Sequence, residues 1–93
     1  MSKESYRNRI ADKRNEIITL REKLSRKRDE KKRAMSNLAC NIKNATGTTK
    51  ENYRRSKVTT ATRYDNEIEH LQDLIERANG DLSNLKEQLA HER

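Results

Sequence analysis

Between residues 61 and 89 the apolar positions are Ala61, Tyr64, Ile68, Leu71, Ile75, Ala78, Leu82, Leu85 and Leu89. The gaps alternate 3, 4, 3, 4 without interruption. Alternation of three and four returns each side chain to one helical face, the a/d pattern of a coiled-coil seam. A thinner version runs through the first half of the chain. Ile10, Ile17, Leu24, Lys31 and Leu38 share one heptad position, and Tyr6, Lys13, Leu20, Lys27 and Ala34 share the other. Here lysine interrupts the apolar stripe, most heavily in the fully charged run RKRDEKKR at residues 26–33. These residues favour the helix, so the seam lysines are expected to extend their stems along it and keep their charged ends in water.

The pattern predicts helix one over about 3–43 and helix two over about 49–91, joined by a loop at about 44–48, within one hairpin domain covering 1–93. The segment NATGT at 44–48 is the one clear break. Gly47 suits a left-handed turn, and Thr48 with Glu51 has the spacing of a capping box opening helix two. Gly80 falls on the outward face of helix two and costs only helix propensity there. So short a connection forces the helices antiparallel. Folding about it aligns Leu24 with Leu71, Ile10 with Leu85, Ile17 with Ala78, Leu20 with Ile75 and Tyr6 with Leu89. The same register sets Lys27 near Ile68 and Lys31 near Tyr64, the loosest layers. The expected fold is therefore an all-α, two-helix antiparallel coiled-coil hairpin. Leu74, Ile18, Met35, Ile42 and Tyr53 lie off or beside the seam, where two hairpins could meet in a four-helix bundle.

Composition narrows the field further. Of 93 residues, 40% are charged and 30% hydrophobic, with no Phe, Trp or Pro and two Gly. That excludes a sandwich or α/β domain and fits long helices with a narrow apolar stripe. Residues 1–43 carry 14 basic and 6 acidic side chains, whereas 58–93 carry 4 and 8. A basic helix beside an acidic one favours pairing between unlike helices. Cys40 is the single cysteine, so it is expected to be a reduced thiol. The absence of an apolar leader or membrane-length run points to a cytoplasmic protein without membrane insertion.

No catalytic constellation is visible, and the chain is expected to be no enzyme, with no cofactor, no metal and no small-molecule substrate. His70 and His91 occupy outward positions without a second ligand at metal spacing. The one chemical feature is charge. The net charge is +7. Arg26, Lys27, Arg28, Lys31, Lys32 and Arg33 cluster on helix one, with Arg54, Arg55 and Lys57 across the loop. Such a basic patch fits an acidic protein or nucleic-acid phosphates. With few aromatics it offers little for base stacking.

The segment NIKNATGTTKENYRRSKVTTATRYDNEIEHLQ, residues 41–72, resembles the turn and second helix of the coiled-coil hairpins that open some bacterial conflict and defence effectors, for example ahead of TIR domains. The likeness is one of pattern and covers most of the chain. It implies an interaction and oligomerisation module whose partner is a further copy or another helical protein. Such modules precede an effector domain, whereas this sequence ends at Arg93. Size and hairpin shape are also similar to the small helical partners of type VII secretion toxins, although their Trp-x-Gly turn is missing.

Overall fold

The computed structural model describes residues 2–92, and two α-helices account for nearly all of them: α1, Lys3–Asn44, and α2, Gly47–His91. The helices pack against each other in an all-α hairpin, with no strand among the described residues. Neither helix is long and apolar enough to cross a membrane.

Local chemistry explains where each helix begins. Ser2 caps α1. Its hydroxyl oxygen accepts the Ser5 N–H at 3.1 Å and its carbonyl accepts the Tyr6 N–H at 3.1 Å, so two otherwise unpaired amides are satisfied. Between the helices only Ala45 and Thr46 remain outside regular structure, a tighter connection than the expected 44–48. Gly47 has φ +60°, the left-handed conformation that the missing Cβ allows. The Thr46 carbonyl accepts the Lys50 N–H at 3.4 Å, so α2 starts before Thr48. Thr48 therefore lies inside the first turn and not at the cap. Glu51 turns instead to Arg54, 3.7 Å away on the same helix. The Thr-rich stretch 58–62 stays helical although β-branched residues disfavour it. Thr59 and Thr62 donate to the carbonyls of Arg55 and Val58 at 3.1 and 3.0 Å, which satisfies their hydroxyls within the helix.

The chain divides into two compact units, one built from the segments up to Lys23 and from Leu71 onward, the other from Leu24–His70. In the first, Ile10, Ile17 and Ala78 are buried, and Leu20, Leu71, Ile75, Leu82, Leu85 and Leu89 are half-buried. In the second, Leu24 is buried and Leu38, Ala61, Tyr64 and Ile68 are half-buried. Every residue expected in the seam is thus at least partly covered. Full burial of an Ile or Leu side chain is worth about 1.5–3 kcal/mol, and most positions here gain only part of that.

Lys13, Lys27 and Lys31 continue the half-buried spacing of α1 where apolar residues are missing. The spacing slips near the loop. Ile42 is covered in place of Asn41, Tyr53 is covered in place of Arg54, and Lys57, where the 3/4 steps would continue back from Ala61, is exposed. Among the five residues expected to form a second interface, Leu74, Met35, Ile42 and Tyr53 are already half-buried, because the stripe between the helices is wide enough to take in its flanks. Only Ile18 is largely exposed, at 54%.

Candidate functional site

The loop-bearing unit, Leu24–His70, carries twelve basic and six acidic side chains, a net of +6. The remainder of the chain carries ten and nine, a net of +1. Almost all of the +7 therefore resides in one unit.

Within that unit the nine expected basic residues separate into two groups. Lys27 and Lys31 lie in the seam. The Lys27 Nζ reaches Glu67 at 3.0 Å and Glu30 at 3.2 Å and lies 5.9 Å from the Tyr64 ring centre. Lys31 donates to the Asp65 carboxylate. The hydrogen bond to Glu67, then that to Glu30, raises the Lys27 pKa above the ordinary 10.5, with partial desolvation opposing. These two cations are consumed by the fold. The others, Arg26, Arg28, Lys32, Arg33, Arg54, Arg55 and Lys57, are exposed. Arg54 shares the Glu51 carboxylate, and Asp29 borders Lys32, Arg33 and Ser36 in a shallow surface depression on α1. The Tyr64 ring also has the Arg63 guanidinium 5.0 Å from its centre.

A matching arrangement occurs in the other unit. Lys13 bonds Glu16 at 2.8 Å on its own helix and lies 3.6 Å from Asp81 on α2. Its pKa is also raised, chiefly by the Glu16 hydrogen bond. Lys13 and Lys27 are two heptads apart, and so are Asp81 and Glu67. The pairs echo each other in sequence as Lys13-Arg14-Asn15-Glu16 and Lys27-Arg28-Asp29-Glu30. The sequence reading missed these carboxylate partners. The K-R-x-E repeat at a seam position is the signal that would have found Glu16 and Glu30, since residues three apart meet on a helix, whereas Asp81 and Glu67 come near only through the packing of α2 on α1.

No group of three His, Cys, Asp or Glu side chains among the described residues is placed to hold a metal ion. His70 and His91 are exposed, as their outward positions predict. Cys40 is exposed and accepts a long contact from the Asn44 amide at 3.6 Å. No protein-family profile, curated protein or solved structure matches the chain.

Proposed function

We propose that the chain is a non-catalytic coiled-coil interaction and oligomerisation module. One observation carries this reading. The α2 stripe from Ala61 to Leu89 is apolar at every 3/4 step, yet Ala78 is its only buried member and the rest are half-covered. The flanking Leu74 is likewise only half-covered. A further helical surface, from a second copy or another helical protein, would remove the remaining apolar area from water at roughly 25 cal/mol per Å². Packing of two hairpins as a four-helix bundle is the simplest way to do this. The exposed, unpaired Cys40 suits a reducing, cytoplasmic setting. Clustering of an attached or associated effector is the role that the resemblance to defence-effector hairpins implies.

Light scattering coupled to size exclusion, at low and high salt, tests the proposal. A dimer or larger species at both salts supports it, because apolar packing resists ionic screening. Leu74→Lys should then shift the mass toward the monomer with helicity retained. A monomer at every concentration and salt would overturn the oligomerisation reading.

A further inference from the structure

We infer that the exposed basic flank of the Leu24–His70 unit docks on the phosphate backbone of duplex nucleic acid, without reading its sequence. Lys27 and Lys31 hold the seam together. Arg28 and Lys32, each one residue further on, project to one side of it and are exposed. They are one helical turn apart, about 6 Å along the axis. Lys31 reaches Asp65, so the side of α2 that carries Asp65 faces the same flank. One heptad before Asp65 on that side is Val58, and Arg55 is three residues before Val58 and exposed. Arg28, Lys32 and Arg55 thus share one flank. Of the carboxylates on this flank, Asp65 is neutralised by Lys31 and Glu51, one heptad before Val58, lies 3.7 Å from Arg54, while Glu69, four residues after Asp65, is exposed. Asp29, next to Lys32 and Arg33, offsets part of the charge without reversing it.

The chemistry of the flank selects its partner. A protein interface forms around an apolar core with charges at the rim. Here the large hydrophobic residue left exposed in the unit is Val58, at 68%, with Arg54 and Arg55 one turn before it on the same helix. A surface of arginine and lysine with little apolar area matches phosphate oxygens, to which affinity comes largely from counterion release. Single-stranded nucleic acid would call for stacking platforms. The unit's tyrosines do not provide them. Tyr64 is half-buried and faced by Arg63 and Lys27, and Tyr53 is half-buried. Duplex contacts need only the charges and their spacing.

The test is fluorescence anisotropy of a labelled short duplex DNA with the full chain, at salt between about 50 and 200 mM, the span over which phosphate contacts weaken steeply. Wild type should bind, with the logarithm of affinity falling linearly against the logarithm of salt. The triple variant Arg28→Gln/Lys32→Gln/Arg55→Gln should lose about tenfold or more in affinity. Its salt slope should shrink by about 2.7, from three lost phosphate contacts at about 0.9 each. A control, Lys3→Gln/Arg7→Gln/Lys86→Gln, removes three exposed cations from the other unit and should bind like wild type. Circular dichroism checks that both variants stay helical. Absence of duplex binding at the lowest salt would overturn the inference. So would equal losses in the two variants, tighter binding of a single strand, or equal competition by polyglutamate. Mass measurement on the same samples keeps this separate from oligomerisation, since a monomer that binds duplex would remove only the assembly reading.

Discussion

A lysine between two packed helices loses hydration unless something replaces it. Lys13 and Lys27 solve this identically. Each runs its stem along the seam and sets its ammonium between a carboxylate three residues on and a carboxylate from α2. The pairs are partly exposed, so they fix alignment more than they add stability. Their raised pKa values give a directional test. A folded pKa above the unfolded value of 10.5 means that the contribution is whole below 10.5 and is lost as pH climbs through the folded value. The melting temperature should therefore hold steady around neutrality and decline above about pH 10.5, near the ordinary lysine pKa. In Lys13→Met/Lys27→Met that alkaline decline should be shallower. An unchanged alkaline limb in thermal melts of the double variant would show that these lysines are not coupled to folding.

Two helices of 42 and 45 residues dominate the chain, and their ends and interruptions set its second layer of behaviour. The two glycines predict opposite outcomes for one substitution. Gly80 is exposed inside α2, and a Cβ there would meet nothing within 4 Å. Gly80→Ala should stabilise the protein by up to about 1 kcal/mol through helix propensity alone. Gly47 also has open space around it, but its φ of +60° strains any residue with a Cβ. Gly47→Ala should cost about 1–2 kcal/mol. Denaturant titration of the two variants checks the contrast, and a stabilised Gly47→Ala would rule out the left-handed turn. The helices themselves were legible in the sequence because the apolar period and the lack of proline leave no competing structure. The start of α2 was not. Thr48 and Glu51 have capping-box spacing, yet the turn at Gly47 brings the Thr46 carbonyl onto the Lys50 amide and begins the helix earlier.

At the scale of the whole molecule, few side chains are fully enclosed. Ile10, Ile17, Leu24 and Ala78 are the buried hydrophobic residues among those described. Ile17→Asp places an unpaired carboxylate at a site only 4% exposed, which costs several kcal/mol unless the group stays protonated. The expected outcome is a loss of cooperative thermal unfolding and much of the helical circular dichroism at neutral pH, since helices separated from their partners gain little from propensity. A variant that melts like wild type would contradict the burial of this position. Charge is distributed as unevenly as burial, with a net of +6 in the loop-bearing unit and +1 in the rest. Any electrostatic attraction of a polyanion would therefore centre on the loop-bearing unit.

By itself the sequence determined the helices, their antiparallel hairpin and the stripe that joins them. A 3/4 period has one geometric solution, and the buried Ile10, Ile17, Leu24 and Ala78 all fall on it. It also determined that the chain is basic near the loop. The heptad register also separated Lys27 and Lys31 from Lys32 and Arg33, because a one-residue difference rotates a side chain by about 100° around a helix of 3.6 residues per turn. That rotation leaves Arg28 and Lys32 in water. Only the tertiary structure decided which carboxylates the seam lysines meet, setting Lys27 beside Glu67 and Lys31 beside Asp65. The pairing depends on carboxylates more than thirty residues away, whose proximity arises only when the second helix is laid against the first.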